Sequence, residues 1–374
     1  MTISNPSPAP RGLIAIAFTA ASIALSGCAG FFVAPTTTTT TSTSNLVYVA
    51  NATTETISGF AVGTNTLTAV SGSPLSLGYV PQAAVISRAN TFLYVAGAAG
   101  IYLYTIASDG ALTAGGTAAS YDVASLDVSP DGNWLVGLNA ASTVLDIWQI
   151  NTSTGALTLT DTDTYTATGT VVPKMVRFAP SGSYIFAALG TGGDAVFTFN
   201  TSTGVAASSQ RLSLGSTTTS DNALAVDSTS STLYIARSGT NQGLAVYTIG
   251  SAGALTAVSG SPFTAGTAPY SVAIDSTGAY VYVANRSSSS ISGFTIGTGS
   301  ILTALSSSPF TSGSLVTSLA TDNSGSYLLA AANGGSPDLT MYSFDSTTAG
   351  KLDTVAAVTT GTDPTGAILV VATH

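Results

Sequence analysis

Histidine, cysteine and glutamate are almost missing from this 374-residue chain, with His374, Cys28 and Glu55 the only residues of their kinds. A single cysteine closes no internal disulfide, so the fold must rest on packing. A single histidine, at a position where the chain end is expected to fray, supplies neither a Ser-His-Asp set nor a Cys/His metal cluster. Charged residues are only 7% of the total, and 17 acids against 8 bases leave a net charge of −9. Lys and Arg form no phosphate-binding stripe, which argues against nucleic acid and anionic lipid as partners. Walker-type and dinucleotide glycine motifs are absent, and no loop has the D-x-D-x-D-G calcium spacing. No cofactor and no metal are expected, and acid–base chemistry would rest on aspartate.

The chain falls into three parts. Residues 1–27 read as a signal peptide: Arg11 gives a positive start, and 13–25 is an apolar run too short for a comfortable membrane span. It ends in Leu25-Ser26-Gly27-Cys28, which resembles the bacterial lipobox. That resemblance implies that Cys28 becomes the lipidated first residue of the mature protein. Ala29, where an inner-membrane lipoprotein often has Asp, leans toward the outer membrane or cell surface. Residues 28–44 hold this cysteine and a Thr/Ser tract with nothing to bury, a flexible tether.

Residues 45–374 repeat. Residues 271–310 contain four short β-type runs separated by Gly, Ser, Asn or Asp, the pattern of a four-stranded antiparallel meander. Copies recur every 42–50 residues or so, a period of β-propeller blades. Low charge suits blades buried on both faces. First strands are expected near 84–87, 126–129, 176–179, 224–227, 272–275 and 319–322, and second strands at Tyr48, Tyr94, Val136, Phe186, Tyr234, Tyr282 and Leu329. The opening copy, 45–51, has no first strand ahead of it, and the last segment, 367–373, has no second strand after it. Pairing these two closes a ring of seven blades without a free edge. Between first and second strands, turns such as Ser129-Pro130-Asp131-Gly132 and Asp275-Ser276-Thr277-Gly278 fit type I geometry, so their acids answer to the turn rather than to a ligand.

The phrases Tyr48-Val49-Ala50-Asn51, Tyr282-Val283-Ala284-Asn285 and Ser129-Pro130-Asp131-Gly132 resemble the YVTN-type surface propellers and the seven-bladed lactonase family, which includes 6-phosphogluconolactonase. The resemblance spans nearly all of 45–374 and implies a seven-bladed propeller with sugar-lactone hydrolysis as the family activity. Members often carry Pro-Arg-His just ahead of a first strand. Here the matching positions read Pro81-Gln82-Ala83, Pro173-Lys174-Met175, Pro269-Tyr270-Ser271 and Pro364-Thr365-Gly366. The histidine is absent from all four, and only Lys174 keeps a positive charge, which argues against phosphorylated lactones.

In a propeller the loops entering each first strand and those between second and third strands surround one channel mouth. They place Glu55, Tyr79, Gln82, Tyr121, Asp122, Lys174, Asp194, Asp221, Asn222, Arg237, Asn241, Tyr270, Asn285, Arg286, Asp338 and Asp363 within reach of it. Asp127 and Arg177 occupy the same first-strand slot in successive blades, where Ala273 stands in another. A charge there is costly unless paired. The pair admits two readings: an Asp127–Arg177 interblade salt bridge, or an anion-accepting patch of Arg177, Lys174 and Asp122. The candidate catalytic set is Lys174, Arg177 and Asp122; the candidate ligand contacts are Tyr79, Gln82, Tyr121, Asp127, Asp194, Arg237, Tyr270 and Arg286.

The expected protein is a monomeric, lipid-anchored envelope propeller that touches the membrane only through its N-terminal lipid. It binds an envelope protein, a carbohydrate or another neutral ligand without catalysis. A lactone hydrolase acting on unphosphorylated sugar lactones is the alternative.

Overall fold

The computed structural model describes residues 1–2, 45–167, 169–334, 336–360 and 367–374. The chain divides into the units Met1–Thr41 and Ser42–His374, and every described strand belongs to the second. The expected leader, the Cys28 lipidation position and the tether lie outside the described residues, as do Asp363 and the 364–366 phrase.

Seven antiparallel sheets of four main strands make an all-β, seven-bladed propeller. The inner strands are Ala83–Ile86, Val123–Val128, Met175–Phe178, Ser220–Val226, Pro269–Ile274, Ser314–Thr321 and, closing blade 1, Ala367–Ala372. That last strand pairs antiparallel with Leu46–Asn51, Val49 opposite Val370, so the ring closes as the sequence predicts. The alternating apolar residues of each second strand pack on both neighbours. Tyr48, Tyr94, Tyr234 and Tyr282 are each at most 1% exposed. A phenol buried this deeply needs a partner for its O–H. Tyr48, Tyr94 and Tyr282 donate to the carbonyls of Gly110, Gly155 and Gly350 at 2.8, 2.9 and 2.8 Å, each glycine lying in a turn of the next blade. The same residue type thus fills the core and ties blade to blade, each bond contributing about 1 kcal/mol.

The inner strands begin several residues earlier than the sequence pattern suggests in blades 5, 6 and 7. The cause is a bulge, one extra residue in each entry: Asn222, Tyr270 and Thr317 interrupt the register with the second strand. Ala124 and Ile368 do the same in blades 3 and 1. A bulge re-aims its side chain, and here the bulged row rings one end of the channel.

A second departure concerns the outer edge. The phrases Leu67-Thr68-Ala69, Leu255-Thr256-Ala257 and Leu302-Thr303-Ala304 form outer strands of only three or four residues. The chain then leaves the sheet, and a serine hydroxyl (Ser73, Ser261, Ser308) accepts from the third-strand N–H of Gly59, Val246 or Gly293 at 2.8–3.0 Å. It rejoins the third strand at Leu75, Phe263 or Phe310. Blades 2, 3, 4 and 7 keep continuous outer strands of seven or eight residues.

Candidate functional site

Each inner strand turns one backbone edge toward the channel, where its N–H groups have no strand to bond. Side chains of the preceding blade satisfy several of them. Val176 N–H donates to Ser125 Oγ (3.1 Å), Leu319 N–H to Ser271 Oγ (3.0 Å) and Val370 N–H to Ser318 Oγ (3.2 Å). Small hydroxyl residues in otherwise apolar strands therefore serve as rungs between blades. Asp127 is a rung of the same kind: its Oδ2 accepts from Phe178 N–H at 2.7 Å.

Two cavities divide the channel. The one at the bulged entries, about 310 Å³, is lined by Gln82, Lys174, Arg177, Asn222 and Tyr270 among smaller residues. The other, about 510 Å³, lies at the opposite, turn-side end and includes Arg88, Asp127, Arg177, Asp322 and His374. Arg177 lines both. Of the candidates read from the sequence, the entry cavity brings together Gln82, Lys174, Arg177 and Tyr270.

The ammonium of Lys174 has no hydrogen bond or ion pair among the described residues, and no acid lines its cavity. Arg286, just after the second strand of blade 6, sets its guanidinium 4.9 Å from the centroid of the Tyr270 ring and pairs with no acid among the described residues. Stacking of this kind orients both groups. Arg177 is 37% exposed and meets Asp127 at only 3.4 Å, a contact that leaves most of its donors free. Lys174 and Arg177 thus line one mouth of an otherwise acidic protein, together with the Tyr270 ring that Arg286 backs. Such a mouth attracts anions.

The acids of the channel are committed elsewhere. Asp127 gives one oxygen to Phe178 N–H and the other to Arg177. Asp322 accepts from Tyr327 N–H, Ser324 N–H and the Asn45 side chain. His374 corrects an expectation, for it is held rather than frayed. Its ring takes Arg88 Nη1 at 3.1 Å and meets the Ile86 carbonyl at 3.2 Å, and its backbone N–H donates to Asn90. Arg88 can only donate and a carbonyl can only accept, so the neutral tautomer with the proton on Nε2 satisfies both. Burial and the Arg88 charge hold this imidazole below its usual range. Both ring nitrogens are thereby occupied, and each carboxylate oxygen of Asp127 and Asp322 already accepts a hydrogen bond.

The remaining candidates stand away from the two cavities. Tyr79 stacks on Tyr102 with centroids 4.1 Å apart and bonds the Tyr104 hydroxyl at 3.0 Å, and Tyr121 meets Trp148 edge-on at 5.3 Å. Asp122 lines neither cavity, so the patch of Lys174 and Arg177 forms without it. Asp194 and Arg237 lie with Asp221 in the seam between blades 4 and 5. Arg88 and the serine rungs are additions that the sequence pattern does not single out. The rungs could have been read from their shared slot, as Ser125, Ser271 and Ser318 precede equivalent strand residues. Arg88 could not, because its partners come from distant segments.

The seven-bladed lactonase propellers match this sequence in three overlapping stretches, 41–174, 173–317 and 271–369. Similar solved structures include a protein from Lactobacillus plantarum: 18% identity, 88% of this chain and 100% of that one, TM-score 0.73. A proposed 6-phosphogluconolactonase from Bacteroides uniformis shares 17% identity over 88% and 99%, TM-score 0.73. A periplasmic gluconolactonase from Pseudomonas aeruginosa shares 15% over 88% and 99%, TM-score 0.65. At these identities the likeness is one of fold. No curated relative matches the sequence.

Proposed function

The chain belongs to the seven-bladed lactonase propellers, and from that premise we propose that it is a lipid-anchored envelope protein whose channel mouth binds a small anionic ligand without hydrolysing it. The observation that carries this reading is a mouth that presents unpaired Lys174, the free donors of Arg177 and the Arg286-backed Tyr270 ring, with no acid and no histidine in its described lining. Cations and an aromatic face suit an anion with a ring or hydroxylated body. Catalysis would need a base within reach of the bound carbonyl or of a water, and the described residues lining the entry cavity include no acid and no histidine.

The lipobox-like Leu25-Ser26-Gly27-Cys28 and the following Thr/Ser tract support anchoring through Cys28. Asn45 is bonded to Asp322 and Asn323 in an inner-to-second-strand turn, on the face opposite Lys174. The Cys28→Ala chain should lose acylation and leave the membrane fraction; retention there would contradict the anchor.

A second reading has the family in its favour. The likeness extends to a gluconolactonase and to a proposed 6-phosphogluconolactonase, so lactone hydrolysis at the same mouth is the alternative. Calorimetric titration of the full chain in detergent with gluconate, 6-phosphogluconate and glucose tests the leading reading. It expects saturable heat with the two anions and none with glucose, and weaker anion binding in Lys174→Ala. Equal binding of glucose would remove the anion claim.

A further inference from the structure

The seam between blades 4 and 5 holds a cluster of buried ionisable groups that the mouth does not use. Asp194 opens the third strand of blade 4, Asp194–Asn200, and Asp221 lies in the inner strand of blade 5, Ser220–Val226. They are 2% and 0% exposed. Arg237, in the second strand of blade 5, chelates Asp221, with Nε to Oδ1 and Nη2 to Oδ2 both at 2.7 Å. Its Nη2 also reaches the Tyr247 hydroxyl at 3.2 Å.

Asp194 is met differently. Neither of its carboxyl oxygens receives a donor. Three groups face it: the Asp221 carboxyl across the seam at hydrogen-bonding range, Arg237 behind that carboxyl, and Arg211 from the outer strand of its own blade. Arg211 forms no ion pair with it. That guanidinium lies 5.3 Å from the Tyr165 ring centroid and gives Nη2 to the Gly192 carbonyl at 3.3 Å, while its Nε and Nη1 find no acceptor.

Two carboxylates in contact cannot both remain ionised in a dry seam. The one gripped by a guanidinium keeps its charge, and the other lowers its desolvation cost by keeping a proton. We propose that Asp194 is the neutral acid of the pair, donating its proton to Asp221, and that the seam between blades 4 and 5 is thereby an alkali-sensitive joint of the ring. While the proton is held, one hydrogen bond spans the blades. When hydroxide removes it, two anions face each other across that contact with one guanidinium fully engaged, and the joint loosens.

Burial first, and the Asp221 charge second, push the Asp194 carboxyl well above its usual range. The folded chain therefore keeps a proton that the unfolded chain loses near pH ~3.9. The stability this confers is complete below that pH and is lost progressively as pH rises toward the folded value.

Urea unfolding of the full chain and of Asp194→Asn, from about pH 5 to about pH 9, tests the proposal. Asn is neutral at every pH and can donate to Asp221 as the acid does. The wild-type midpoint should fall with rising pH relative to the variant, and the variant should equal or exceed it at the alkaline end. If Asp194 is instead ionised and balanced by Arg211, the variant strands that guanidinium, lies below wild type throughout and leaves the pH slope unchanged. Infrared spectroscopy gives a reading that does not depend on the variant's stability. The C=O stretch of a protonated carboxyl should be present at neutral pH in the wild type and missing in Asp194→Asn. Its absence from the wild type would overturn the proposal.

Discussion

Asp338 and Asp194 each stand at the entry to a third strand, in blades 7 and 4. Both are buried, at 0% and 2% exposure, yet they are met by opposite chemistry. Thr360 donates its backbone N–H to Asp338 Oδ1 and its hydroxyl to Oδ2, both at 2.7 Å, and that hydroxyl also lies 2.7 Å from Asn51 Oδ1. Around Asp194 there are no such donors, only a second carboxyl and guanidinium groups aimed elsewhere. A buried carboxylate is stable where a neighbouring segment brings N–H and O–H groups to it, as the connection after the outer strand of blade 7 does through Thr360. Where the neighbour brings another acid, the seam needs a proton and an arginine. The propeller repeats its backbone seven times but not its seams, and the arginine–aspartate pairs among the described seam residues stand in blades 3 to 5.

The largest expected effect comes from removing the arginine from one side of this comparison. Arg237→Met leaves the Asp221 charge buried without its guanidinium, which should cost about 3–5 kcal/mol in urea unfolding. A loss below about 1 kcal/mol would show that the pair does not hold the seam. Conservative replacement of the two aspartates separates them next. Asp338→Asn turns an N–H₂ group toward the Thr360 donors and should lose about 1–3 kcal/mol, whereas Asp194→Asn should lose nothing at alkaline pH. Equal losses would erase the distinction between the seams.

At the mouth, Lys174→Ala should leave the unfolding midpoint unchanged, because nothing described bonds its ammonium. Its anion affinity should drop about tenfold, the worth of one charge-assisted contact. Unchanged affinity in calorimetry would move the site elsewhere. The smallest effect is expected at His374. Its folded pKa is lowered, so the native chain resists a proton that the unfolded chain accepts near pH ~6.5. The stability tied to it is present above that pH and lost as pH falls toward the folded value. His374→Ala should flatten this acid limb in an unfolding series, and an unaltered limb would place the group outside the linkage.

Much of the architecture is readable from the chain because blade phrases are local. Tyr280, Tyr282 and Ala284 alternate within one strand, and the Asp275–Gly278 turn is complete within four residues. Ring closure is legible because one half-blade stands at each end. The bulges are not, since the extra residue at Tyr270 or Thr317 is defined by its partner strand. The split outer strands are hidden for a related reason: Ser73, Ser261 and Ser308 look like turn serines until the N–H groups they cap are seen. Lys174 and Arg177 can be placed together from their spacing at one inner strand. Arg286 behind Tyr270, Arg88 on His374, and the Asp194–Asp221–Arg237 group require the closed ring, which joins residues that no local pattern connects.

The central claim is that the mouth binds an anion and performs no turnover. Proton release from a panel of aldonolactones, phosphorylated and not, tests it most directly, with the full chain measured against spontaneous hydrolysis. The account predicts rates equal to the spontaneous background, with the corresponding aldonates bound saturably in the same samples. A saturable excess rate that disappears in Lys174→Ala or Arg177→Ala would contradict it and make this propeller a lactonase.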